Sequence, residues 1–142
     1  MENLREVESV LQLKNLYFEK ITFERGTEIT PKFTPQFATS YREIEGTVFE
    51  VKLMCRILAG EKPFLELCLV GVFDNQGSDP EVNAELNELN TISIMFPYLR
   101  AEISLITAQP NCPTLNLPVF NINALLEELR NRKIVENQKA EK

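Results

Sequence analysis

Between Val48 and Ala59 apolar and polar residues alternate with a period of two. Phe49, Val51, Leu53, Cys55, Ile57 and Ala59 share one parity, while Glu50, Lys52 and Arg56 share the other. That pattern predicts a strand with one side on a core. Gly60-Glu61-Lys62 reads as a three-residue hairpin loop, and Phe64 to Phe73 as the partner strand, with Leu65, Leu67, Leu69 and Phe73 inward. Matching the two apolar sides sets Phe49 opposite Phe73, Leu53 opposite Leu69 and Ile57 opposite Leu65, because register follows the buried face. The same register pairs Arg56 with Glu66 and sends Cys55 and Cys68 to opposite sides.

From Leu11 to Glu24 the apolar positions Leu11, Leu13, Tyr17, Ile21 and Phe23 lie on one side and Leu16 and Phe18 on the other. This predicts a long strand partly buried on both faces, ended by Arg25-Gly26-Thr27. Residues 27–46 hold Pro31 and Pro35, which favour a loop, with Phe33, Phe37 and Tyr41 spaced four apart in it. Gln36 to Arg42 could form a short edge strand. Asp74 to Asp79 reads as loop, and Asp79-Pro80 as the N-cap and first position of a short helix through Leu89. A second helix is expected to open at Phe96-Pro97-Tyr98. Met95, Leu99, Ile103 and Ile106 give it a buried stripe, and Pro110 and Pro113 stop it near Ala108. Leu115-Asn116-Leu117-Pro118 is then extended, and Asn123 is the candidate N-cap of a last helix over about Ala124 to Val135. Within that helix Glu128 and Arg132 form an i,i+4 pair. Strands followed by helices imply an α+β domain, a four-stranded antiparallel sheet with helices on one face.

The 142 residues fit one domain, residues 1–142, in which 1–9 and 137–142 are expected to be disordered. A net charge of −6 argues against a nucleic-acid partner. No apolar run is long enough to span a membrane, and Met1-Glu2-Asn3 leads into no signal peptide, so a cytoplasmic location is expected without direct membrane insertion. Three cysteines without C-x-x-C fit a reducing compartment. The chain has no histidine, no G-x-S-x-G and no phosphate-cradling glycine loop. Neither a catalytic constellation, a metal site nor a cofactor is expected, and the protein is read as not an enzyme.

FPYLRAEIS followed by CPTLNLPVFNINALL resembles the SecB family of export chaperones, whose pattern reads FPYARE and then FPxLNLxPVNFxALF. Matching residues include Phe96, Pro97, Tyr98, Arg100, Pro113, Leu115, Asn116, Leu117, Asn121, Ala124 and Leu125. LYFEKITFE is similar to the family's first strand, so the resemblance runs from about Leu11 to Leu126. It implies a homotetramer built as a dimer of dimers, and an ATP-independent holdase that binds unfolded preproteins and passes them to SecA. Residues 27–46 would then be a crossover loop beside a client groove. Phe33, Phe37 and Tyr41 would line one wall of it, and Phe96 and Tyr98 the other. The competing reading, that these are ordinary core, weighs more for Phe96 and Tyr98. The resemblance also implies a SecA contact at Glu24, Phe64 and Glu66 on the exposed sheet face. Lys20 stands there where the family usually has an acidic residue, which implies weak, salt-sensitive SecA binding.

Two other readings compete. Some SecB-like proteins serve the antitoxin of a toxin–antitoxin system, a role close in fold and different in client. A small-molecule-binding or enzymatic α+β domain is the alternative from another class, and it lacks convergent polar motifs.

Overall fold

A computed structural model describes residues 11–26, 32–75, 84–118 and 120–140. Four strands, β1 (Leu11–Phe23), β2 (Phe33–Glu45), β3 (Val48–Ala59) and β4 (Lys62–Asn75), precede two helices, α1 (Ala84–Thr107) and α2 (Ile122–Ala140). The strands form one antiparallel sheet in the order β1-β4-β3-β2. Both helices pack on one face of it, α1 over β4 and β3 and α2 against β2. The expected α+β architecture is the observed one.

The central pair β3–β4 has the register that its apolar sides demand. Phe49 faces Phe73, Leu53 faces Leu69, Ile57 faces Leu65 and Arg56 faces Glu66. Cys55 lies opposite Leu67 and Cys68 opposite Met54, so the two thiols are on different faces and both are free. Two-residue turns join β2 to β3 and β3 to β4. Gly46 (φ 59°) and Gly60 (φ 63°) take their first positions, where L side chains are disfavoured.

Four expectations change. β1 is bulged between Leu13 and Asn15 and again between Phe18 and Lys20. Each extra residue reverses the parity. Leu16 and Phe18, opposite Gly71 and Leu69, therefore join Leu13 and Ile21 on the helix side, while Tyr17 turns to the other. Residues 33–45 are a full edge strand in place of a loop. Pro35 fits there because an edge strand needs a ladder partner on one side only.

Pro97 does not begin a helix but sits inside α1. It and Ser93, whose carbonyl loses its helical partner, are both exposed, so water can serve the broken bond. One helix thus spans residues that the sequence pattern divides between two. Finally, α2 is capped by Asn121, not Asn123. The Asn121 Oδ1 accepts from Ala124 N at 3.2 Å, and the Asn121 carbonyl takes the first helical bond from Leu125 N at 3.0 Å. The helix continues to Ala140, taking in residues 137–140. Residues 1–9, 141–142, Pro31 and the Asp79-Pro80 helix start lie outside the described residues.

The core lies between the helix face of the sheet and α1. Leu53, Ile57, Leu65, Leu69 and Phe73 meet Ile92, Met95, Leu99 and Ile103, all of them inaccessible to water. Gly71 sets how closely α1 approaches. A Cβ there would stand 2.6 Å from Phe73 Cε2 and 3.0 Å from Met95 Sδ. Gly71→Ala should therefore cost about 1–3 kcal/mol, the range for overpacking a core. It is read as the fall in the urea midpoint, and an unchanged midpoint would show that the helix can give way.

Candidate functional site: an aromatic row beside an edge strand

On β2 the residues Phe33, Phe37 and Tyr41 share the helix side, since they lie opposite Ala59, Cys55 and Val51. Their spacing of four is two periods of a strand, which places a ring at intervals along the sheet's free margin. Each ring meets a different neighbour. Phe33 packs on Phe64 at 4.9 Å, and Phe64 in turn meets Phe23 edge-on at 5.1 Å. Tyr41 lies 5.2 Å from Phe49, which stacks on Phe73 at 5.8 Å. Between these groups, Phe37, Phe96 and Phe120 form a closed triangle with centroid separations of 5.8, 5.6 and 5.5 Å. Its two near-perpendicular pairs, both made by Phe120, have the edge-to-face geometry that ring quadrupoles favour.

The triangle joins three parts of the chain: the edge strand, α1 and the connection from α1 to α2. Phe96 is 4% exposed and belongs to the core. Phe37 and Phe120 are half-buried and open toward solvent. Leu115 and Leu117 of the connection are half-buried against the same core, which extends the apolar surface beyond the triangle. Thr107 and Ser104 hold that connection in place. The Thr107 hydroxyl accepts from Leu115 N at 2.8 Å and donates to Ile103 O at 2.7 Å, while Ser104 Oγ donates to Leu115 O at 2.9 Å. An extended segment buried on one side is thereby relieved of its unpaired backbone groups.

Of the five rings expected in a groove, the structure brings Phe37 and Phe96 into contact and aligns Phe33 and Tyr41 with them along β2. Tyr98 is elsewhere. Two residues on from Phe96 in a helix is the far side, and Tyr98 is 53% exposed there, neither core nor part of this row. Phe120 was not among the expected residues. It follows Pro118 in a stretch without periodicity, so only its aromatic character could have singled it out.

The helix-free face carries charge in pairs. Glu66 is bridged by Lys20 Nζ at 3.0 Å and Arg56 Nε at 3.2 Å, and Lys20 holds the Glu66 carboxyl below its ordinary range. Glu19, placed by the second bulge of β1, meets Lys52 at 3.0 Å and accepts from the Cys68 thiol at 3.4 Å. Lys52 lowers the Glu19 pKa and Glu19 raises that of Lys52. Arg42 pairs with Glu50 at 3.0 Å. Burial pushes the Cys55 thiol up to about 12, which leaves it protonated and inert.

Phe64 does not join Glu24 and Glu66 on that face. The register shifts between Ile57 and Leu58, opposite Leu65 and Pro63, so the strand has one residue more there than its partner. Phe64 is that residue, and it turns inward to Phe23 and Phe33, 5% exposed. Glu24 is exposed, and its backbone N–H is tied to Phe64 O at 3.0 Å. Among the described residues no group of three or more His, Cys, Asp or Glu is placed to hold a metal ion.

The family described as Preprotein translocase subunit SecB matches residues 5–133. The chain belongs to the SecB family. Relatives within it include the Protein-export protein SecB of Alcanivorax borkumensis, 30% identical over 142 residues, with 90% of each chain covered. The Protein-export protein SecB of Histophilus somni (strain 129Pt) is 26% identical over 148 residues, covering 94% of this chain and 86% of that one. Among solved structures, the fold matches the Mycobacterium tuberculosis Rv1957 SecB-like chaperone, in complex with a ChAD peptide from the Rv1956 HigA1 antitoxin. The TM-score is 0.60 at 15% identity, covering 78% of this chain and 88% of that one. SecB membership agrees with the two sequence blocks around Phe96 and Leu115, which the structure brings together on one core, with Phe96 against Phe120.

Proposed function

We propose that this SecB-family protein is a cytoplasmic chaperone that binds unfolded preproteins and delivers them for export through SecA. The observation that supports it best is the half-open triangle of Phe37, Phe96 and Phe120 beside β2, to whose outer edge no further strand is paired among the described residues. Rings cover apolar side chains of many sequences, and an edge strand offers backbone donors and acceptors to an extended chain. Binding only unfolded chains holds them unfolded by mass action, with no bond chemistry and no cofactor. The groove set is Phe33, Phe37 and Tyr41 with Phe96 and Phe120.

Phe37→Ala should weaken the binding of an unfolded precursor about tenfold or more, as loss of an anchoring aromatic does. It should lower the melting temperature less than Phe96→Ala, whose buried ring is worth about 3–5 kcal/mol. Wild-type protein with no affinity for unfolded precursors, measured by titration with a labelled one, would sink the reading. A second reading, service to a single antitoxin, is favoured by the peptide bound to the mycobacterial relative. One antitoxin recovered in place of a range of precursors would decide for it.

We also propose a homotetramer, a dimer of dimers. Ile94, Tyr98 and Leu105 lie along the outer side of α1, and Leu105 is 68% exposed. Leu13 and Ile21 are exposed on the edge strand β1. Two uncovered apolar surfaces on separate elements suit two kinds of contact in a closed assembly. Light scattering should give four chains of 16.3 kDa, and Leu105→Glu should reduce that number. A monomer at micromolar concentration would overturn the assembly.

For SecA, the reading places the contact on the helix-free face around Glu24, Glu66 and Lys20. Lys20 neutralises Glu66 within the chain, so a basic partner meets a quenched patch. Lys20→Asp should strengthen SecA binding and steepen its salt dependence, both read by calorimetry in two salt concentrations. Unchanged affinity would move the docking surface elsewhere.

A further inference from the structure

The connection between the helices begins with a tight turn. Cys112 N donates to Gln109 O at 3.2 Å, which closes a four-residue turn with Pro110 and Asn111 at its centre. Asn111 has φ 56°, the left-handed region. Proline second and a positive φ third define a type II turn, because the fixed φ of proline excludes the mirror-image I′ form. Types I and II differ by a reversal of the central peptide, here Pro110–Asn111, and asparagine can adopt either. Local geometry therefore leaves two orientations of that peptide open, which keep the flanking chain on nearly the same course but point the Pro110 carbonyl to opposite sides.

Arg25, two residues beyond the end of β1 at Phe23, decides between them. Its Nη1 donates to Pro110 O at 2.9 Å and its Nη2 donates to Asn111 O. The Pro110 oxygen belongs to the central peptide, so the fork reads its orientation. A guanidinium is suited to this task, with two donors in fixed geometry on successive carbonyls. The last turn of α1 contains no basic residue of its own, so Arg25 also supplies the cation that a helix C-terminus favours. This arginine lies 85 and 86 residues away in sequence from its two acceptors, and among the described residues its side chain makes no other hydrogen bond.

We propose that Arg25 is a positioning residue for the groove: from beyond the end of β1 it holds the Pro110–Asn111 peptide in its type II orientation and ties the start of the connection to the sheet. From that turn the chain delivers Leu115 to Thr107 and Ser104, and then Leu117 and Phe120 to the groove wall. A wall held in place before the client arrives spares the client the cost of ordering it. Arg25 thus acts on affinity through Phe120 without touching the client.

This inference rests on the chaperone reading, and the test separates the two. Cys112, next to Asn111 and half-buried, reports the turn directly, whereas Cys55 and Cys68 are buried. Alkylation by N-ethylmaleimide, located by peptide mass, is followed in wild type, Arg25→Ala and Arg25→Lys. Cys112 should react roughly fivefold to tenfold faster in Arg25→Ala, as expected on losing charge-assisted bonds at a surface. Arg25→Lys, which can reach one carbonyl but not fork across two, should fall between. Affinity for an unfolded precursor should drop by about the same factor in Arg25→Ala, through faster release, with the melting temperature nearly unchanged. Equal Cys112 rates in all three proteins, or precursor binding unaltered in Arg25→Ala, would overturn the latch. If wild type binds no precursor while the Cys112 rates still separate, the chaperone reading fails and the turn lock stands.

Discussion

Everything in this chain depends on the pairing of β3 with β4. Its inner row, Phe49, Val51, Leu53, Cys55 and Ile57 against Phe73, Gly71, Leu69, Leu67 and Leu65, is the floor on which α1 lies. The helix can lie there only because the row is interrupted by a residue without a side chain at Gly71, under Met95. Once α1 is seated, Phe96 is fixed at its flank and the end of the helix is fixed at Thr107. Phe37 then has a partner, and the connection has an anchor. The groove is thus a consequence of core packing, with its most buried ring supplied by the core itself.

What the sequence could and could not convey follows from the same hierarchy. β3 and the register of its pairing with β4 from Phe49–Phe73 to Ile57–Leu65 were legible because a strand with one buried side writes its period into the chain. The sheet's two margins were not. β2 carries polar residues and Pro35, which at an edge are harmless but in sequence resemble a loop. β1 is bulged twice, and a bulge erases the parity on which face assignments rest. In α1, Pro97 resembles a start because proline suits a first turn. Only the continuous stripe of Ile92, Met95, Phe96, Leu99 and Ile103 across it reveals one helix. Of the site, Phe37 and Phe96 could be named but not joined, and Phe120 had no pattern to announce it. Phe64 was misplaced for a reason no pattern contains, a register shift at a hairpin.

Charge is arranged on the opposite principle to the apolar groove. The chain as a whole is acidic, yet on the helix-free face three carboxylates are paired with cations of other strands: Glu66 with Lys20 and Arg56, Glu19 with Lys52 across β4, and Glu50 with Arg42. Glu50 is buried, whereas the pairs at Glu66 and Glu19, which water reaches, add little stability. Their effect is on recognition, since a paired carboxylate offers less field to an approaching cation than a free one. A partner of this face must compete with bonds already made inside the protein, which favours exchange of charges over simple attraction.

The groove and this face also differ in how they can adapt. Side chains on the central strands are held by ladders on both sides, so the helix-free face is rigid and its pairs can only rotate or exchange. The aromatic triangle has one ring on such a ladder's margin, one on a packed helix and one on a connection with few backbone partners of its own. Phe96 cannot move without emptying the core, and Phe37 moves only with β2. Phe120 is bound by its ring contacts and by the hydrogen bonds at Leu115 several residues earlier. For the proposed binding of many sequences, one compliant wall against a fixed floor is the suitable arrangement, since two fixed walls would select a single shape and two loose ones would leave each client to order both. The division of the three rings among elements of graded rigidity supplies that arrangement, with the compliance confined to the one element whose displacement leaves the sheet and α1 intact.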